Sequence, residues 1–180
     1  MITSTMRLIV IIIFSLLSSS CEKKVVNANG DLDLKYILIK DGYLDTISRR
    51  IQHWTKTDSL TSISYVQRWP GDTSTSQISF ELPMKQTFNT RSDFQLVDTN
   101  AFEFEGRDYL ILKYRYDEEH SDDEEMLVFY SHDFGILINR SAVWGNYDRL
   151  LTSNDKREDR IVFYLVEMIA NNDKEFFMSW

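Results

Sequence analysis

Apolar and polar side chains alternate in several short segments of this chain, and this pattern restricts the fold more than any other feature. Ile78, Phe80 and Leu82 alternate with polar residues, and residues 62–69 show the same period of two. Such alternation is typical of half-buried antiparallel strands, because successive side chains of a strand point to opposite faces. Residues 70–72, with the sequence Pro-Gly-Asp, predict a turn between the two segments.

Residues 101–142 predict a four-stranded antiparallel meander. The predicted strands cover residues 102–105, 110–116, 126–131 and 136–142, and residues 34–40 predict an earlier strand. Gly106 and Gly135 lie between predicted strands, where tight turns are expected. Residues 43–58 are ambiguous. Leu44, Ile47 and Ile51 follow helical spacing, but the β-branched residues favour a strand, so either a strand or a short helix at the sheet edge is expected.

The segment after residue 154 predicts a helix that ends near Asn171, with Ser153 and Asn154 as candidates for the N-cap. Its apolar stripe consists of Ile161, Val162, Leu165, Met168 and Ile169. The predicted fold class is therefore α+β, an antiparallel meander of about six or seven strands with one C-terminal helix packed on a face.

The composition is that of an ordinary globular chain. Of the 180 residues, 43% are hydrophobic and 27% are charged, which excludes collagen-like and strongly disordered classes. The single cysteine excludes an intramolecular disulfide framework. The formal charge of -8 argues against general binding to nucleic acid, which requires a basic surface.

The N-terminus has the features of a secretory signal. Arg7 is the only charged residue among the first 20, and residues 8–17 form an apolar core. A helix that spans a bilayer needs roughly 20 apolar residues, so this core is too short to be a stable span. Three serines follow it, and the single cysteine of the chain, Cys21, comes next.

This arrangement resembles the bacterial lipoprotein signal peptide, with Ser19 and Ser20 at the small positions before Cys21. The resemblance implies cleavage that removes residues 1–20, lipid attachment to Cys21 and anchoring in a membrane of the bacterial cell envelope. It leaves open whether this is the inner or the outer membrane. Residues 21–33 would form the lipidated cysteine and a tether, and residues 34–180 a single globular α+β domain. Two or more acyl chains give firm attachment without a transmembrane helix.

Residues 117–125 place seven carboxylates in nine positions. One interpretation is a cation site, because Ca²⁺ prefers several oxygen ligands. The other is a solvated loop between two apolar strands, where charge prevents non-native edge pairing. The segment lacks the spacing of an EF-hand, and no metal site or cofactor is predicted.

No catalytic residue is predicted either, because the chain contains no HExxH, G-x-S-x-G, P-loop or G-x-G-x-x-G motif. His132 lies beside Asp133 in a predicted turn, a pair capable of acid–base chemistry. Trp144 and Tyr147 lie in a predicted aromatic loop or packed corner before the helix. Trp144, Tyr147 and His132 are therefore weak candidate binding residues.

These features predict a lipid-anchored envelope protein that acts as a non-catalytic binding or interaction module. Its partners would be the membrane, through the lipid on Cys21, and an unknown envelope protein or ligand, but not nucleic acid. One alternative is a carrier that holds a lipid or other hydrophobic ligand in a cavity between sheet and helix. Another is a small hydrolase that uses His132 and nearby carboxylates.

Overall fold

The structure is a computed structural model that describes residues 33–40, 42–69, 71–85, 93–117, 125–152 and 155–179. The described residues contain nine strands. They are β1 (Asp33–Lys40), β2 (Tyr43–Lys56), β3 (Leu60–Arg68), β4 (Ser76–Pro83), β5 (Phe94–Phe104), β6 (Arg107–Tyr116), β7 (Met126–Ser131), β8 (Gly135–Ser141) and β9 (Tyr147–Thr152).

All nine strands belong to one antiparallel sheet with the order β4-β3-β2-β1-β9-β8-β7-β6-β5. Two meanders, β1–β4 and β5–β9, are therefore joined side by side through the pairing of β1 with β9. In that ladder Tyr36 lies opposite Leu150 and Leu38 lies opposite Asp148. The pairing brings the first and last strands of the described chain to the middle of the sheet.

The sheet curls, and aromatic side chains fill its concave face. The rings of Phe80 on β4 and Phe94 on β5 lie 5.6 Å apart, so the two edge strands approach one another. The Tyr36 hydroxyl on β1 donates to the carbonyl of Ile136 on β8 at 2.9 Å. Other buried residues of this face are Ile47, Ile51, Trp54, Ile63, Tyr65, Leu82, Tyr114 and Tyr130.

Two helices cover the convex face of the C-terminal half. Helix α1 (Lys156–Glu167) continues into a π-helical turn (Met168–Asn172), and helix α2 (Lys174–Met178) follows. Phe129 of β7 contacts Phe176 and Phe177 of α2, with ring centroids 5.4 and 5.8 Å apart. Lys113 of β6 is buried below α2, where its ammonium donates to the carbonyls of Phe176 and Ser179.

The structure confirms a mainly antiparallel sheet with a C-terminal helix, but six or seven strands was an underestimate. Residues 43–58 contain the long strand β2 rather than a helix. The sequence pattern missed β9 and the short helix α2 altogether. Asp155 caps α1, accepting hydrogen bonds from the backbone N–H groups of Arg157 and Glu158, whereas Ser153 and Asn154 lie outside the described residues.

Within the described part of the chain, no helix combines the length and the apolar character needed to cross a membrane. The predicted signal segment, Cys21 and residues 22–32 of the tether lie outside the described residues, as do residues 118–124 of the acidic segment.

Candidate functional site

A buried ion pair lies at one end of the concave face. The guanidinium of Arg49 donates to both carboxylate oxygens of Asp148, at 2.7 and 2.9 Å. Its Nε–H donates to Oε1 of Gln67 at 2.8 Å. Arg49 and Asp148 are only 3% and 7% exposed, so this pair belongs to the interior. A two-pronged contact of this kind fixes the orientation of both side chains.

Three strands contribute these groups, and the long side chain of Arg49 reaches across β1, which lies between β2 and β9. Arg49 lies opposite Gln67 in the β2–β3 ladder, and Asp148 lies opposite Leu38 in the β1–β9 ladder. The Arg49 guanidinium also lies 4.3 Å from the ring centroid of Tyr36. A guanidinium can stack on an aromatic ring while its N–H groups donate hydrogen bonds in the guanidinium plane. The Arg49 side chain therefore contacts Tyr36 and binds Asp148 at the same time.

The electrostatics keep Arg49 charged and its tyrosine neighbour neutral. Burial by itself would lower the pKa of Arg49, but the Asp148 carboxylate outweighs this effect and the pKa is raised. Burial raises the pKa of Tyr36 to about 12. The hydroxyl of Tyr36 therefore stays protonated near neutral pH and remains a hydrogen-bond donor to Ile136.

A depression of about 250 Å³ opens beside this ion pair, at the end of the concave face where β8 passes into β9. We call it the mouth. Its lining consists of Leu38, Glu125, Met126, Asn139, Ser141, Trp144, Asn146, Tyr147 and Asp148. Two of the three candidates from the sequence, Trp144 and Tyr147, therefore border one concave surface.

The turn between β8 and β9 holds Trp144 at the rim of the mouth. The backbone N–H of Ser141 donates to the carbonyl of Asn146 at 2.9 Å, and that of Ala142 donates to the carbonyl of Glu125 at 3.0 Å. The backbone N–H of Trp144 donates to Oγ of Ser141 at 3.1 Å. The Trp144 side chain remains 63% exposed. A large aromatic group is thus exposed on a backbone that is already ordered.

The mouth also contains a buried acceptor. Oδ1 of Asn139 is inaccessible to solvent and makes no hydrogen bond to any residue that the structure describes. The amide nitrogen of Asn139 donates weakly to Asp148, at 3.5 Å. A buried polar atom without a partner costs free energy, and Oδ1 of Asn139 lies beneath the surface of the mouth rather than on it.

Two larger depressions have a different character. One of about 370 Å³ lies on β1–β3 and includes the exposed ion pair of Arg50 with Asp33. Another of about 460 Å³ lies around Phe163 on the outer surface of α1. None of the polar residues that line either depression is buried. The mouth is the depression among these three that combines buried polar groups with an exposed aromatic side chain.

His132 lies at the opposite end of the sheet, in the turn between β7 and β8. It is half-buried, and burial together with the nearby ammonium of Lys56 lowers its pKa. The carboxylate of its neighbour Asp133 is 3.0 Å from the guanidinium of Arg107. The structure therefore does not bring His132 to the mouth with Trp144 and Tyr147.

Sequence reasoning missed the buried ion pair and the polar residues of the mouth. Arg49 occupies an inward position of β2 between Ile47 and Ile51, and this polar interruption was the available signal. Nothing in the sequence pairs Arg49 with Asp148. Among the described residues, no group of three or more His, Cys, Asp or Glu is placed to hold a metal ion.

No family model matches this sequence, and a comparison with curated proteins finds no match.

Proposed function

We propose that this chain is a lipid-anchored protein of the bacterial cell envelope, and that its folded domain is a non-catalytic module that binds a partner at the mouth. The proposal for the domain rests on one observation. Trp144 is exposed on a hydrogen-bonded turn beside the buried pair of Arg49 and Asp148. Exposed aromatic anchors on ordered backbone are typical of binding surfaces, because little conformational entropy is lost when they bind.

The position of the N-terminal end of the domain is compatible with an anchor. Asp33 begins β1 beside Arg50, whereas the mouth is reached near Leu38, toward the other end of the same strand. If the tether ends at Asp33, the mouth lies toward the end of the sheet that is farther from the attachment point. A partner would have access to Trp144 while Cys21 remains in the membrane.

Packing favours a binding module over the two alternatives. Between the sheet and the helices, Phe129, Phe176 and Phe177 are in ring contact and are buried, which leaves little space there for a lipid. The hydrolase hypothesis needs an acidic partner for His132. Its neighbour Asp133 instead forms an ion pair with Arg107.

Replacing the anchoring cysteine tests the membrane part of the proposal. Cys21→Ser should release the protein from membranes and abolish incorporation of labelled fatty acid. Ser20→Ala keeps a small residue before the cysteine and should behave as the parent protein. Membrane fractionation of Cys21→Ser identical to that of the parent would contradict the lipid anchor.

Capture from the native envelope tests the binding part. The full-length protein is expected to retain a specific partner that Trp144→Ala fails to retain. Phe163→Ala is the matched control, because Phe163 is 58% exposed on α1, outside the mouth. Equal recovery of the same partner by Trp144→Ala and the parent protein would show that binding occurs elsewhere.

A further inference from the structure

We infer that the mouth accepts a positively charged nitrogen group, the amine or guanidinium of a basic side chain in a peptide segment of the partner. This inference rests on the proposed function and specifies its ligand. The hydrogen-bonding capacity of the lining, its aromatic rim, its charge and its size each support it.

The lining is rich in hydrogen-bond acceptors. The lining includes the side chain of Asn139 and the carboxylate of Asp148, which Arg49 holds in place. A carboxylate offers about four acceptor sites, so Asp148 can accept further bonds. Glu125 provides a second carboxylate in the lining. A ligand that presents several N–H donors matches this set, whereas an anionic ligand would be repelled.

The aromatic rim fits the same ligand. Trp144 is exposed at the rim, whereas the ring of Tyr147, which also borders the mouth, packs edge-on against Phe177 at 5.6 Å. Cations bind to the faces of aromatic rings, and tryptophan gives the strongest attraction. Leu38 and Met126 supply apolar surface for the methylene groups that precede the charge in lysine and arginine.

Charge favours a cation at short and long range. Arg49 already balances Asp148, so Glu125 adds a negative charge to the lining. The whole chain has a formal charge of -8, which raises the local concentration of basic ligands at its surface. The volume of about 250 Å³ is smaller than the roughly 300–1,000 Å³ of sites for drug-sized molecules, and is appropriate for one side chain.

The test measures binding of defined probes to the full-length lipidated protein in neutral detergent micelles, by titration calorimetry. The probes are a short peptide of alternating lysine and glycine, the same peptide with glutamine in place of lysine, and a neutral glucose oligosaccharide. Only the lysine peptide is expected to bind. Its affinity should fall about tenfold in Trp144→Ala and about fivefold in Glu125→Gln. Trp144→Phe keeps an aromatic face and should retain most of the affinity.

Glu103→Gln is the matched charge control, because Glu103 is exposed on β5 near the opposite end of the sheet. It should change the affinity less than about twofold. An equal loss in Glu103→Gln and Glu125→Gln would overturn the inference, because it would indicate attraction to the overall charge. Preference for the oligosaccharide, or no binding of the lysine peptide, would also overturn it. These results leave the proposed function intact if Trp144→Ala still loses the native partner.

Discussion

Arg49 and Asp148 are separated by 99 positions in the chain, and their side chains meet through two hydrogen bonds in the interior of the sheet. The pair joins a residue of the first meander to a residue of the second, next to the ladder that unites them. It therefore links the two halves of the fold through side chains as well as through backbone pairing, and its Asp148 lines the mouth.

Removing one partner of this pair should destabilise the protein strongly. Asp148→Asn leaves the buried guanidinium of Arg49 without a compensating charge, and a loss of about 3–5 kcal/mol in the free energy of unfolding is expected. Urea denaturation measures it. The double variant Arg49→Met/Asp148→Leu removes both charges and should recover much of the loss. A loss below about 1 kcal/mol in the single variant would contradict the burial of the pair.

Alkaline pH should unfold the domain through its buried tyrosines. Burial raises the pKa of Tyr36 to about 12 and raises the pKa values of Tyr65, Tyr114 and Tyr130. Because the folded state holds these protons more tightly, the stabilisation is complete below the unfolded value near 10 and is lost as the pH rises toward 12. For Tyr36 alone the loss is about 3 kcal/mol. Tyrosinate absorbance should show that the buried tyrosines titrate at a higher pH than the others. Their titration should coincide with the unfolding that circular dichroism measures. Titration of all the tyrosines near pH 10 in the folded protein would contradict this expectation.

Gly135 is required by its backbone conformation. Its φ is +78°, and a Cβ atom at this position would lie 3.4 Å from Ile63 Cδ1 and from the Tyr65 hydroxyl. Gly106 has nearly the same φ, +77°, but its Cβ position is open. A separation of 3.4 Å is an ordinary van der Waals contact, so Gly106→Ala and Gly135→Ala should each cost about 1 kcal/mol through backbone strain. Thermal denaturation of the two variants measures both costs, and a clearly larger cost for Gly135→Ala would show that the added methyl group is overpacked.

The N-cap of α1 offers a local test. Asp155 accepts hydrogen bonds from the backbone N–H groups of Arg157 and Glu158 at 2.6 and 3.3 Å. Asp155→Ala removes this acceptor and should lower the free energy of unfolding by about 1 kcal/mol. Asp155→Ser retains an oxygen acceptor and should restore most of it. Identical stability of the alanine and serine variants would show that the cap does not contribute.

Sequence reasoning identified strands wherever one buried face gave a regular alternation, as at Ile78, Phe80 and Leu82. It was ambiguous for β2 for two physical reasons. Arg49 occupies an inward position, and a register shift between Ile51 and His53 displaces the next buried residue to Trp54. The resulting spacing of apolar residues resembles that of a helix, although the segment is a bulged strand.

An inward-facing polar residue also explains why the sequence pattern did not predict β9 or most of the mouth. Asp148 points into the interior, so the strand that contains it lacks the apolar periodicity of its neighbours. Its polarity is compensated by Arg49, which belongs to a distant strand and is invisible to any local pattern. Trp144 and Tyr147 were found because aromatic residues beside a glycine stand out locally. The buried acceptor of Asn139 depends on the tertiary structure and has no local signal.

The pairing of β1 with β9 has a consequence for the order of folding. Every other ladder of the sheet joins strands that are consecutive in the chain, so each can form by closing a short loop. The central ladder must wait for the last strand to leave the ribosome, and it closes the longest loop at the greatest entropic cost. We therefore expect the final docking of the two meanders to limit the rate of folding. If the chain is exported as proposed, this delay would keep it unfolded long enough to be translocated.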